Sequence, residues 1–204
     1  MTQEARKYLH DDVVLTAVRC DEVRLYCHIR ERLVYYISDV SANVSNIDRV
    51  YGGLLMKVSI YSREAIHSLI NGSFPRNTAV ISFYNPTTER KKDYIPVDYC
   101  NKAERLFYVC VHDIDIDTLP RYGLNYDSYM PDTASLAQFI KSAVDDGFDI
   151  ICQCDYGQSR SAACAAAILE YYEKSGITIF ADYRYYPNQL VFNKVLNALR
   201  ETNM

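Results

Sequence analysis

Apolar and polar positions switch between two periods along most of this chain, so short apolar runs alternate with segments of helical spacing. Residues 54–61 mix branched and aromatic side chains and predict a strand. Ser62 then offers a helix N-cap, and Asn71 with Gly72 a stop, for a helix over 63–70. A second strand is predicted over 78–83, ended by Asn85 and Pro86. Residues 105–111 are apolar almost throughout, the pattern of a strand buried on both faces. Asp132 or Thr133 caps a helix that runs to about Asp146, with Gly147 in the stop position. The apolar segment 148–152 predicts another strand, and an alanine-rich helix follows from about Arg160 to Lys174, ended by Gly176. The last helix, over 188–201, carries Leu190, Val191, Val195, Leu196 and Leu199 on one stripe.

Strands alternating with helices predict an α/β fold: a mostly parallel central sheet flanked by helices on both faces. At 204 residues the chain can build one well-packed domain of this kind, here taken as 51–204, with residues 1–50 an N-terminal extension packed on it. Within the extension, Val23, Tyr26, Cys27, Leu33, Val34 and Ile37 form a helical stripe that Arg30 interrupts. A helix is the favoured reading there, and a hairpin turning near Arg30 and Glu31 the competing one.

The candidate chemistry lies between the strand at 148–152 and the alanine-rich helix. Cys154 and Arg160 bracket Asp155, Tyr156, Gly157, Gln158 and Ser159, and Ser161 follows. A loop from a strand end to a helix start aims several unpaired backbone N–H groups at one point, where an oxyanion can sit and a thiol should ionise easily. That suits a cysteine attacking phosphorus while Arg160 grips the phosphoryl oxygens in a bidentate fork. Gly157 would let the loop backbone take a conformation closed to residues with a β-carbon. With 7 cysteines in the chain, about 0.5 Cys-to-Arg pairs at this offset arise by chance, so the spacing alone is weak. Requiring Gly at the fourth position and Ser or Thr after the arginine cuts that to roughly 0.002. The loop is a specific signal.

On these residues the chain resembles the cysteine-dependent protein tyrosine phosphatases, whose phosphate loop reads Cys, five residues, Arg, then Ser or Thr. The 157–161 stretch looks most like the dual-specificity-like and small bacterial members. Looser likeness extends from about Leu54 to the C-terminus, through Ser62 to Ala65, Val111 to Asp115, and Pro187 with Asn188. The resemblance implies that residues 155–160 bind the phosphate and that Ser161 donates a hydrogen bond to the sulfur, easing its departure from a phosphocysteine. It also implies an aspartate general acid just past the preceding strand. Asp113 is the first choice, Asp115 the alternative and Asp117 third. The family usually has His immediately before the cysteine, and this chain has Gln153.

Composition narrows the partners. A net charge of −4 supplies no basic excess for a nucleic-acid partner, and no apolar run is long enough to span a membrane. The one local basic run, Arg90 to Lys92, is a solvated loop tip or an attractor for an anionic substrate. The N-terminus lacks the apolar core of a secretory signal, and 7 scattered cysteines do not form a disulfide framework, so a cytoplasmic protein is expected. Cys20, Cys27, Cys100, Cys110 and Cys164 read as packing residues. Cys152 should share a strand face with Cys154, as packing or as a protective disulfide partner. Paired cysteine motifs with histidines at ligand spacing are missing, so no metal and no cofactor is expected.

The reading is a phosphomonoester hydrolase working through a phosphocysteine, on a phosphorylated protein or a small phosphomonoester. The alternatives are a phosphate-recognition module without turnover, an inositol-phosphate phosphatase, a rhodanese-type sulfurtransferase and a purely structural protein. Oligomeric state is not read from the sequence.

Overall fold

The computed structural model describes residues 56–86 and 96–202 with their side chains and, upstream, the backbone of strands up to residue 56. Residues 1–45 and 46–204 form two separate compact units.

The first unit carries β1 (Arg6–His10), β2 (Val13–Arg19), β3 (Val23–Ile29) and β4 (Arg32–Ile37), paired antiparallel in that order. The helix expected over this stretch is therefore replaced by the competing hairpin, with Ile29 opposite Arg32 and Arg24 opposite Ile37. The physical reason is composition. Val, Leu, Tyr and Ile dominate both arms and favour extended backbone, which outweighs an interrupted helical stripe.

The second unit opens with a two-stranded antiparallel ribbon, β5 (Arg49–Tyr51) and β6 (Leu54–Met56). The strand expected over 54–61 is thus divided at Lys57, its second half being β7 (Val58–Ser62). α1 (Arg63–Asn71), β8 (Thr78–Tyr84), β9 (Arg105–Cys110), a 3-10 helix (Ile116–Tyr122), α2 (Thr133–Asp145), β10 (Asp149–Cys154), α3 (Arg160–Glu173), α4 (Ile177–Phe180) and α5 (Gln189–Glu201) follow.

The main sheet has the order β7–β10–β8–β9 and is parallel throughout. β9 is its edge, which corrects the reading of that segment as buried on both faces: Tyr108 and Cys110 face solvent. Cys100 is exposed as well, so neither it nor Cys110 is a packing residue. Cys164 is buried, and the side chains of Cys20 and Cys27 lie outside the described residues.

Two cores flank the sheet. Ile66 and Ile70 of α1 pack with Val80, Val97, Tyr99 and Ile151 on one face. On the other, α2, α3 and α5 bury a larger cluster that includes Ile81, Phe83, Ile150, Cys152, Ile168, Val195 and Leu199. Strand β10 divides its side chains between the two by simple alternation, Ile150, Cys152 and Cys154 to one side and Ile151 to the other. Alanines at 162, 163 and 165–167 are all buried, which lets α3 lie against the sheet and α5 together. Among the described residues no helix is long and apolar enough to cross a membrane.

Helix ends follow the sequence in part. Ser62 Oγ accepts from Ala65 N at the start of α1, and Asn188 Oδ1 accepts from Val191 N at the start of α5. Asp132 occupies the N-cap position of α2 without a side-chain cap hydrogen bond. Gly147, at φ +76°, takes the left-handed turn after α2. After α3 it is Lys174, at φ +58°, that turns the chain, rather than Gly176. A β-carbon on Gly176 would lie 2.5 Å from the Ala166 carbonyl, so glycine is required there for close packing.

Candidate active site

Four parallel strands end on one edge of the sheet, and each end delivers a polar group to the same place. Ser62 closes β7, Cys154 closes β10, Asn85 follows β8, and Val111, His112 and Asp113 follow β9. This is the edge at which open parallel sheets bind ligands.

The loop from Cys154 to Arg160 wraps back over the end of β7. Gly157 has φ +69°, and a β-carbon on it would stand 2.7 Å from Ser62 N. Only glycine fits that conformation and that approach. The Asp155 carbonyl accepts from Arg63 N (3.1 Å) and the Gln158 carbonyl from Tyr186 N (2.9 Å), so both walls of the loop are anchored. At its base Cys154 Sγ and Ser161 Oγ are 3.0 Å apart. Cys154 is 2% exposed and Ser161 fully buried.

Arg160 begins α3 yet is 2% exposed, because its side chain turns into the site rather than into water. Nη1 donates to Asn85 Oδ1 and to the Val111 carbonyl, both at 2.9 Å, which occupies both of its hydrogens. Nη2 donates to Asp155 Oδ2 at 3.1 Å. Nε is buried and has no hydrogen-bond partner; the nearest carboxylate oxygen, Asp113 Oδ2, stands 3.7 Å away. An orphaned buried guanidinium N–H calls for an acceptor.

Asp155 joins two arginines, taking Arg160 on Oδ2 and Arg63 Nε on Oδ1 at 3.0 Å, with Asn85 Nδ2 at 3.3 Å also on Oδ2. Asp113 Oδ1 accepts from Ser159 Oγ (2.6 Å) and Asn188 Nδ2 (2.9 Å). The segment carrying Asp113 is held from below by Tyr129, whose hydroxyl donates to the His112 carbonyl at 2.6 Å. Burial, with the Asp113 charge adding to it, pushes the Tyr129 phenol upward, so it stays a neutral donor. Burial, with Arg160 adding, pulls the His112 imidazole below its ordinary value. Its ring packs 4.6 Å from that of Tyr122.

A cleft of about 1030 Å³ opens over these groups, lined by Arg63, Glu64 and His67 of α1 and by Asn85, Asp113, Asp155, Tyr156 and Arg160. Tyr156 is 81% exposed at its rim. A second cleft of about 670 Å³ lies beyond Asp113, lined by residues that include Asp115, Asp117, Tyr185 and Asn188. The structure thus pairs Cys154 with Ser161 at the base of the loop, and sets Arg160 beside Asp113 in the first cleft. Asp115 and Asp117 line the second cleft, which Asp113 shares, and not the first.

Gln153 points to the opposite face of β10 from Cys154. Its Oε1 accepts from Ser82 Oγ (2.7 Å) and Tyr99 OH (3.2 Å), and its Nε2 is buried without a partner. Cys152 shares the Cys154 face as expected, and burial together with a hydrogen bond to Cys164 pushes its thiol well up. The basic run Arg90 to Lys92 lies outside the described residues.

Sequence reasoning missed Asn85, Arg63 and Tyr129 as site residues. In the sequence Asn85 reads only as a strand stop. Its contacts with Asp155 and Arg160 span 70 and 75 positions, so no local pattern announces them.

No family model matches the chain, and no curated protein matches it. Two crystal structures of PTPMT1 are similar to it in fold. One, in complex with PI(5)P, has 13% identity and a TM-score of 0.44 over 73% of this chain and 91% of that one. The other has 12% identity and a TM-score of 0.40 over 72% and 91%.

Proposed function

We propose that this protein is a phosphomonoester hydrolase of the protein-tyrosine-phosphatase type, acting through a phosphocysteine. The observation that supports it most is Arg160: a buried guanidinium held by three protein acceptors, its Nε–H left without one, beside a loop that turns at Gly157 between Cys154 and Arg160. Its Nε edge can take two equatorial oxygens of a phosphoryl group, using Nε and the second hydrogen of Nη2.

In this reading the Cys154 sulfur attacks phosphorus, and the P–O bond to the leaving group breaks as the P–S bond forms. Asp113 hands its proton to the leaving oxygen. Water then attacks the phosphocysteine with Asp113 accepting a proton, and Ser161 hydrogen-bonds the departing thiolate from 3.0 Å. Asp113 is preferred to Asp115 because it shares the cleft with Arg160.

The cleft also argues for a singly phosphorylated substrate, a phosphotyrosine side chain or a small aryl phosphate. Its cations, Arg63 and Arg160, are both paired to Asp155, and Glu64 adds another carboxylate to the lining. A ring of several phosphates would find both arginines already paired and the Glu64 carboxylate beside them. Release of phosphate from 4-nitrophenyl phosphate in the presence of a chelator tests the reading. It should be abolished in Cys154→Ser and cut at least about 100-fold in Arg160→Lys, which keeps the charge and loses the fork. Persistent turnover in Cys154→Ser would overturn it, and thiosulfate–cyanide sulfur transfer would replace it with the rhodanese reading.

A further inference from the structure

The geometry points to Asn188 as the residue that positions Asp113 for proton transfer, an inference that rests on the phosphatase reading above. Asn188 is 7% exposed and spends every polar atom of its side chain at once. Its Nδ2 donates to Asp113 Oδ1 at 2.9 Å and to the Ile114 carbonyl at 3.1 Å, gripping the acid segment by side chain and backbone together. Its Oδ1 accepts from Val191 N at 3.1 Å and so caps α5. Its own backbone N–H reaches the Ser159 carbonyl at 3.4 Å, on the loop that carries Arg160. One amide thus welds the acid segment, the phosphate loop and a rigid 13-residue helix.

Ser159 completes the arrangement from the loop side. Its hydroxyl donates to the same Asp113 oxygen at 2.6 Å. With Oδ1 taken by two donors, Oδ2 is the oxygen left facing Arg160 Nε, 3.7 Å away. A phosphoryl group seated on that guanidinium edge would have its leaving oxygen nearest to Oδ2. The acid is held in place by α5 before substrate arrives, rather than carried in on a closing loop. Positioning of this kind lowers the barrier only when the acid is needed, so it matters for poor leaving groups and little for good ones.

Two substitutions separate this role from capping. Asn188→Thr and Asn188→Ser both keep a hydroxyl that can serve as N-cap, and both lack the amide donors that reach Asp113 and the Ile114 carbonyl. Both should fold with a Tm near that of the natural chain. In each, kcat on phenyl phosphate should fall about 10-fold or more, while kcat on 4-nitrophenyl phosphate falls by less than about 3-fold. Independently of turnover, NMR relaxation should show the backbone of residues 113–115 becoming more mobile in Asn188→Ser. A uniform fall on both substrates, or unchanged leaving-group dependence with unchanged order at 113–115, would overturn the inference. If the natural chain shows no turnover that depends on Cys154, the phosphatase reading fails instead, and the relaxation result alone decides whether Asn188 holds the segment.

Discussion

Asp155 Oδ2 holds Nη2 of Arg160 at 3.1 Å, so the residue after the candidate nucleophile faces the arginine with its carboxylate. The same carboxylate takes Arg63 on its other oxygen. It orients the Arg160 fork and, under the proposed function, would discourage a second phosphate. Removing one nearby unit charge at an effective dielectric near 20 is worth about 1–2 kcal/mol. Asp155→Asn should therefore raise kcat/KM for an inositol polyphosphate relative to 4-nitrophenyl phosphate by about tenfold. An unchanged ratio would show that Asp155 orients without selecting.

The Gly157 position has no room for a side chain. A β-carbon there would sit 2.7 Å from Ser62 N and 2.9 Å from the Tyr61 carbonyl carbon, both backbone atoms that cannot step aside. The positive φ adds about 1–3 kcal/mol of strain for any other residue. Gly157→Ala should lower the unfolding free energy by at least that amount and abolish phosphate binding, seen by denaturant titration and by isothermal calorimetry with inorganic phosphate. Full binding in Gly157→Ala would mean that the loop does not need this turn.

His112 makes stability depend on pH. Folding lowers its pKa through burial first and the Arg160 charge second, whereas in the unfolded chain it titrates near about 6.5. Below that value the unfolded chain binds more protons than the folded one, so stability present above it is lost as the pH falls through the window beneath. His112→Gln should show a smaller drop in urea midpoint between pH 7 and pH 5 than the natural chain. An identical drop would place the acid sensitivity on other groups.

How much of this was legible beforehand follows the range of the interactions. The loop from Cys154 to Arg160, its flanking strand and helix, and the parallel sheet come from residues close in sequence, where period and glycine placement speak directly. β9 was misjudged because apolar content does not reveal an edge; only the strand order shows that Tyr108 and Cys110 face outward. The hairpin of β3 and β4 lost to a helix because its stripe satisfied both periods nearly equally. Asp113 ranks above Asp115 by resemblance, but only the fold shows that Asp113 also lines the cleft of Arg160 and that Asp115 does not. Gln153 stood out as a departure, while its partners Ser82 and Tyr99 lie 71 and 54 positions away. Contacts of that span leave no local trace.

The most direct test is to trap the covalent intermediate. Rapid acid quench during turnover of an aryl phosphate, followed by mass spectrometry of the proteolysed protein, should find one phosphoryl group on the peptide bearing Cys154, attached to sulfur and missing from Cys154→Ser. Phosphate released with no label on that peptide, or label on any other residue, would contradict the account.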